Sequence, residues 1–248
     1  MPRMPRRKST TGCFHVICRG VGKQILFEEE RDYQFFLSRM TRFGDECGIT
    51  LSAYCLMENH VHLLVNDHQD KLSLFMKKME VSYSVYFNKK YERSGHLFQG
   101  RYLSEPIEDE KSLLAVVRYI LNNPRKAGIC SASAYKWSSY HLFQKPEAGV
   151  DTTILHQILG SEEAFHAFID SDDEETGICN IECETPPKND RWAIEVARNS
   201  LDGISPAVVK SLVREERNRC LRMLKEKGLS LRQIERLTGV SRTVIRRA

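Results

Sequence analysis

Between Cys13 and Ile107 the spacing of apolar residues switches back and forth between the period of a strand and that of a helix. No other feature of the chain constrains its fold as strongly. "CFHVICRG" alternates and is rich in β-formers, which predicts a first strand. Glu29 to Cys47 follows with Phe35, Phe36, Met40 and Phe43 at helical spacing. Ile49 to Met57 and His60 to Asn66 read as two strands joined by a tight turn at Glu58 and Asn59. Lys71 to about Tyr91 returns to helical spacing through Leu72, Phe75, Met76, Met79, Tyr83 and Tyr86. "GRYLSEPI" reads as a fourth strand, because Pro106 argues against a helix there. The order β-α-β-β-α-β predicts an α+β fold of the ferredoxin-like type, an antiparallel sheet with helices packed on one face. Asp109 to Asn122 reads as a further helix that stops before Pro124.

A chain of 248 residues has room for more than this unit. We divide it into a main domain with a C-terminal extension over 1–169, an acidic linker over 170–190 containing "TPPKND", and a compact helical module over 191–248. The net charge of +4 conceals a strong asymmetry. Glu162 to Asp190 holds ten acids and one lysine, whereas Lys210 to Ala248 holds twelve bases and four acids. Four bases and no acid stand in the first ten residues. A basic arm and a basic tail suggest a polyanionic partner, against the simpler reading of a solvated surface. No apolar run approaches the length needed to cross a bilayer, so no membrane partner is expected. The N-terminus "MPRMPRRKST" lacks the apolar stretch of a secretory signal. The eight cysteines follow no framework spacing, and we read them as reduced thiols of a cytoplasmic protein, nucleoid-associated when bound to DNA. "CNIEC" (Cys179, Cys183) is a weak metal motif without a second pair.

"YCLMENHVHLLV" places His60 and His62 on one face of the third strand, with Val61 on the other. Such a pair is either half of a metal site or two polar residues needing other partners. A catalytic site needs a third ligand, and "VRYILNNPRKAG" holds the best candidate. If Glu110 to Asn123 is helical, Tyr119 and Asn123 share a face and present a phenol and an amide oxygen together. A phenol beside a metal is a suitable nucleophile for a phosphodiester. Taken singly, a tyrosine on an amphipathic helix is more often packing, and Tyr83, Tyr86 and Tyr102 stay open as alternative nucleophiles. Arg101 and Arg118 are candidates for contact with DNA phosphate, although Arg118 could equally be a solvated helix residue.

"LMENHVHLLV", "GHLFQGRYLSEPI" and "VRYILNNPRKAG" resemble the HUH-type single-tyrosine transposases, in particular the REP-associated tyrosine transposase subgroup. The resemblance runs from "FHVICRG" through "YKWSSY" to about Phe168. It implies a ferredoxin-like nuclease domain that uses Mg²⁺ or Mn²⁺, with His60 and His62 as the histidine pair, Tyr119 as nucleophile and Asn123 as third metal ligand. It also implies cleavage of single-stranded DNA near hairpin repeats through a 5′-phosphotyrosine link, followed by strand rejoining. Glu58 departs from the commoner proline before the "NHVH" segment and should alter the turn more than the chemistry. Some members of the wider group form the active site as a homodimer, and the residues here leave that choice open.

"LSLRQIERLTGVSRTVIRRA" reads as a helix-turn-helix. Ser230 caps a helix with Leu231, Ile234 and Leu237 inward; Gly239 makes the turn; Ser241 caps a second helix with Val244 and Ile245 inward. Arg242, Thr243, Arg246 and Arg247 are then exposed to meet DNA bases or phosphate. Glu235 departs from the small residue common at that position. Two function classes follow: a metal-dependent tyrosine transposase acting on DNA, or a domesticated sequence-specific DNA-binding regulator with an idle nuclease site. An RNA-directed protein is a more distant third.

Overall fold

The computed structural model describes residues 6–144, 149–171 and 190–248, with 190–192 described by backbone alone. The element order is β1 (Cys13–Arg19), α1 (Glu30–Cys47), β2 (Thr50–Met57), β3 (His60–Asn66), α2 (Leu72–Lys90), β4 (Leu103–Ile107) and α3 (Glu110–Leu121). After them come the short α4 (Asn123–Lys126), α5 (Thr153–Leu159) and α6 (Glu162–Asp170), then α7 (Asp190–Ser200), α8 (Arg214–Glu226), α9 (Leu231–Thr238) and α10 (Arg242–Arg247). The sheet is antiparallel throughout, in the order β2-β3-β1-β4. That order is the ferredoxin-like one, with β1 and β3 in the centre.

Alternation divides the sheet into two chemically different faces. Val16, Cys18, Val61, Leu63 and Val65 point toward α1 and α2, where Phe27, Phe36, Phe75, Met79, Tyr83 and Phe87 complete the larger core. Cys13, Leu64, Ala53, Cys55 and Met57 point the other way, against Val116, Val117, Ile120 and Leu121 of α3. The first two helices therefore share one face as expected, and α3 covers part of the opposite one. His15, His60 and His62 share the parity of Cys13 and Leu64, so they lie on the α3 face.

Asp32 fixes the start of α1. Its buried carboxylate accepts from the backbone N–H of Glu28 (2.8 Å) and Glu29 (3.0 Å), from the hydroxyls of Tyr91 (2.6 Å) and Tyr86 (3.0 Å), and from Lys90. The first two bonds cap the helix, and the others tie α1 to α2. The exposed edge of β2 is closed by the segment around Trp137. Leu56 N–H donates to Trp137 O (2.9 Å), Tyr54 N–H to Ser139 Oγ (2.8 Å) and Leu51 N–H to Gly149 O (3.1 Å). A buried edge strand with its donors paired has no tendency to recruit another chain.

Three boundaries differ from the sequence expectation. β4 starts at Leu103 rather than Gly100, because Gly100 adopts φ 69° in a turn after Phe98 bridges Gly20. α3 stops at Leu121, so Asn123 opens a separate short helix instead of continuing the first. The segment 131–168 contains two helices, α5 and α6, that alternation and periodicity did not announce. The acidic linker, apart from its ends, and the Cys179–Cys183 pair lie outside the described residues. None of the described cysteines forms a disulfide, and no described helix is long and apolar enough to cross a membrane.

The C-terminal helices bury Ala193, Ala197, Leu201, Val209, Cys220, Leu221, Leu224, Leu229, Ile234, Leu237, Val240 and Ile245 together. Ile25, which belongs to the first domain, completes that core, and its N–H donates to Arg236 O (3.1 Å). Ser205 Oγ donates to Glu28 (3.2 Å) and Ser94 N–H to Ser211 Oγ (3.3 Å). The helical region is thus docked on the sheet domain through the turn after β1. Gly239 lies at this joint with φ 67°, and a Cβ there would stand 2.8 Å from Gln24 Oε1. Gly239→Ala should therefore cost about 1–2 kcal/mol, from the left-handed backbone and the displaced Gln24 together. A thermal melt of the full chain checks this, and an unchanged melting temperature would contradict it.

Candidate active site

β3 and β1 carry three histidines onto one patch of the sheet, and α3 brings a phenol over it. His62 stacks on His15 with ring centroids 5.3 Å apart, and its other neighbour, His60, stands edge-on at 5.0 Å. The Tyr119 ring meets His62 edge-on at 5.4 Å and His15 at 5.8 Å. All three imidazoles are buried, whereas Tyr119 is half-buried and so faces both the cluster and solvent. Tyr119, His60, His62 and Asn123 come from a single chain.

The hydrogen bond of His60 sets which of its nitrogens is bare, and that of His62 allows the same arrangement. Asn59 Oδ1 can only accept, so the 2.7 Å contact with His60 puts the proton on His60 Nδ1 and leaves Nε2 as a lone pair. His62 Nδ1 lies 3.1 Å from His15 Nε2. A proton on His62 Nδ1, accepted by His15, leaves His62 Nε2 bare as well. Among the described residues, neither Nε2 makes a hydrogen bond of ordinary geometry, although both atoms are buried and the Asn123 side chain lies beside His60. Two buried lone pairs without partners are costly unless something else binds them.

Burial holds the imidazoles neutral. Desolvation pushes His15 and His60 down to about 4, and the Asn123 side chain beside His60 acts in the other direction. Desolvation takes His62 further below the ordinary range, helped by His60, His15 and Lys126. At neutral pH each ring therefore presents a lone pair without first losing a proton.

Asn123 is buried, and its side-chain N–H donates to Tyr119 O (2.9 Å) across the break between α3 and α4. That bond occupies the nitrogen and leaves the amide oxygen as an acceptor. Among the described residues no group of three His, Cys, Asp or Glu side chains could enclose a metal ion. The donor set on offer is two imidazole nitrogens and one amide oxygen, which suits a divalent ion that keeps open positions for water or phosphate. His15 stands behind this set as an orienting partner, in the way that outer hydrogen bonds orient ligating histidines.

The other tyrosines stand apart from the cluster. Tyr83 is buried in the α1/α2 core with its hydroxyl on Leu26 O, Tyr86 donates to Asp32, and Tyr102 pairs with Ser73 Oγ (3.2 Å) under Arg6. Among the proposed phosphate contacts, Arg101 is exposed at the mouth of a small cleft shared with Arg19. Arg118 is directed elsewhere. Its Nε donates to Phe168 O (3.0 Å) and its guanidinium lies over the Phe168 ring at 4.1 Å, so it clamps α3 to α6. Arg242, Thr243, Arg246 and Arg247 are exposed on α10, far along the chain from the histidines. Ser241 makes no side-chain capping bond to α10; Glu235 accepts from Arg242 N–H (3.2 Å) and pairs with its Nε (3.0 Å). The acid that looked out of place serves as the cap.

Sequence reasoning passed over His15, Asn59 and Lys126. Asn59 immediately precedes the histidine pair, and Lys126 lies three residues after Asn123, with its ammonium 4.5 Å from the Tyr119 ring. His15 carried no signal beyond its parity in β1.

Residues 9–123 match the family described as "Transposase IS200 like". No curated protein matches the chain. Among solved structures, that of a REP-associated tyrosine transposase bound to a REP hairpin is similar at 16% identity with a TM-score of 0.52. The match covers 62% of this chain and 94% of that one. At that identity the likeness is one of fold.

Proposed function

We propose, from the match of residues 9–123 to the IS200-like transposase family, that the chain cleaves and rejoins hairpin-flanked single-stranded DNA with Tyr119 as its nucleophile. The observation that carries this reading is the half-buried phenol beside two buried imidazoles whose Nε2 atoms make no hydrogen bond of ordinary geometry among the described residues. His60 Nε2, His62 Nε2 and the Asn123 amide oxygen would hold a divalent ion. When bound there, Mg²⁺ or Mn²⁺ supplies the positive charge that holds the scissile phosphate and offsets charge on the leaving oxygen.

The chain's own residues do the rest. Tyr119 oxygen attacks phosphorus, the bond from phosphorus to the 3′ oxygen breaks, and a 5′-phosphotyrosine forms. The phenol's proton passes to solvent, and the 3′ oxygen leaves as a hydroxyl after taking up a proton. Attack by a DNA 3′-hydroxyl on the same phosphorus restores the phosphodiester and returns Tyr119. The Lys126 ammonium lies over the Tyr119 ring, 4.5 Å from its centre, and adds positive charge beside the phosphate that Tyr119 would attack. The solved relative of this fold holds a REP hairpin, which supports a hairpin as the DNA element recognised.

Incubation with labelled hairpin-bearing single-stranded DNA and Mn²⁺, followed by a denaturing gel, tests the reading. A covalent adduct that a chelator abolishes supports it. Tight binding that ignores the chelator and never yields an adduct would instead favour a DNA-binding regulator. His15 offers a separate check. His15→Phe keeps an aromatic ring beside His62 but removes the acceptor for its Nδ1 proton. Mn²⁺ affinity, read by electron paramagnetic resonance without DNA, should fall by roughly 10–100-fold. An unchanged affinity would show that His15 does not orient the ligand.

A further inference from the structure

β1 and β4 part company next to the histidine cluster, and the gap between them forms a second cleft. Their last pair is Ile17 with Leu103. β1 runs on to Arg19, where Gln99 N–H donates to Arg19 O (2.8 Å) and Gly20 bridges Phe98. Between these two ties the chain swings away from β1 through the turn at Gly100. The space it leaves is lined by Arg19, Phe98, Gln99, Arg101, Leu103 and Glu80. Register places this cleft on the sheet. Arg19 stands across from His60, and Ile17 separates Leu103 from His62. The far wall is therefore two strand spacings, roughly 10 Å, from a candidate metal ligand.

The lining is chemically mixed. Leu103 shares the histidine face by alternation and is 47% exposed, an apolar side chain with little to cover it. Arg101 is exposed at the rim and Arg19 is half-buried. Glu80 reaches the cleft from α2. Its Oε1 is buried and makes no hydrogen bond of ordinary geometry among the described residues. A buried acceptor left in that state is costly, and a donor entering the cleft would satisfy it. Desolvation holds the Glu80 carboxyl up to about 7, against the opposing pull of Arg6 and the Tyr102 N–H. Above that pH the group is ionised and a strong acceptor. Bases at the rim, an apolar wall and a carboxylate at the floor answer the three parts of a nucleotide: phosphate, ring face and base edge.

We propose that this cleft holds an unpaired base bearing an exocyclic amino group, close to the phosphate that Tyr119 attacks. The amino group donates to Glu80, Leu103 covers the ring, and the backbone passes between Arg19 and Arg101. This rests on the reading of the chain as acting on single-stranded DNA, and it adds the residue that selects the base. Adenine, cytosine and guanine carry such an amino group, whereas thymine does not.

The test measures affinity of the full chain, in EDTA at about pH 8, for two fluorescein-labelled oligonucleotides with the same hairpin stem and flanks of about ten nucleotides. One has mixed dA and dC flanks. The other has the same flanks with purine and 2-pyrimidinone in place of adenine and cytosine, so that only the amino groups are missing. The parent should bind the first about tenfold more tightly, and Glu80→Gln should bring the two within about twofold. A thermal melt of the variant reports on its fold, and the parent's own preference stands without it. Arg101→Ala should weaken both about threefold and leave their ratio as it was, the behaviour of a phosphate contact. Equal binding of the two oligonucleotides by the parent, or a preference that survives Glu80→Gln, would overturn the proposal. The assay is metal-free and independent of Tyr119. A chain with the Glu80-dependent preference that never forms an adduct would keep the base site and discard the nuclease reading; an adduct without the preference would do the reverse.

Discussion

Tyr119→Phe should abolish the covalent DNA adduct, a loss of at least about 10³-fold in cleavage, while leaving DNA affinity within twofold. The substitution deletes one hydroxyl. The ring keeps its edge contacts with His15 and His62 and its place under Lys126, so neither the fold nor the imidazole cluster is disturbed. The result is sharp because no other tyrosine considered could stand in. Tyr83, Tyr86 and Tyr102 lie on the α1/α2 side with their hydroxyls engaged. A Phe variant that still forms the adduct would move the nucleophile away from the histidines and remove the main support for the proposed chemistry. Denaturing gels of the two proteins side by side make the comparison.

The second large effect concerns stability. Asp32→Ala should destabilise the chain by about 3–5 kcal/mol, lowering its melting temperature by roughly 10 °C. The carboxylate is fully buried, and five donors converge on it from the start of α1 and from α2. Its removal strands two backbone N–H groups and two tyrosine hydroxyls, and leaves Lys90 with Glu29 as its remaining carboxylate. Asp32→Asn keeps the volume but offers an amide to donors, so it should fall between Ala and the parent. Calorimetry that found the Ala variant within 1 kcal/mol of the parent would show that water or rearrangement satisfies these groups instead.

The sheet order was legible because each change of periodicity is carried by several residues at once. Phe75, Met76, Met79 and Tyr83 can share a side only on a helix, whereas His60 and His62 share one only on a strand. The site was partly legible for the same reason, since a pair of histidines at strand spacing and a Tyr–Asn pair at helical spacing are local patterns. Long-range partners were not. Arg118 read as a phosphate contact or a solvated base because Phe168, fifty residues later, gives no local sign of meeting it. His15 is one histidine in a strand, and its contact with His62 depends on a register between strands that local spacing cannot give. Ile25 sits in an ordinary apolar run, and its burial under the C-terminal helices depends on where a segment nearly two hundred residues away comes to rest. Asp32 is, in the sequence, one charge among the acids of a helix start. Only the tertiary fold shows it as the point where two helices are joined.

The assembly of Tyr119 with its own chain's histidines bears on stoichiometry. On the proposed reading, one copy carries one such tyrosine and would hold one 5′ end at a time. Releasing a DNA segment means opening it at two ends. Excision would then take either two copies acting together or two successive turnovers of one. The rate of excision distinguishes them: it rises with the square of protein concentration in the first case and in simple proportion to it in the second.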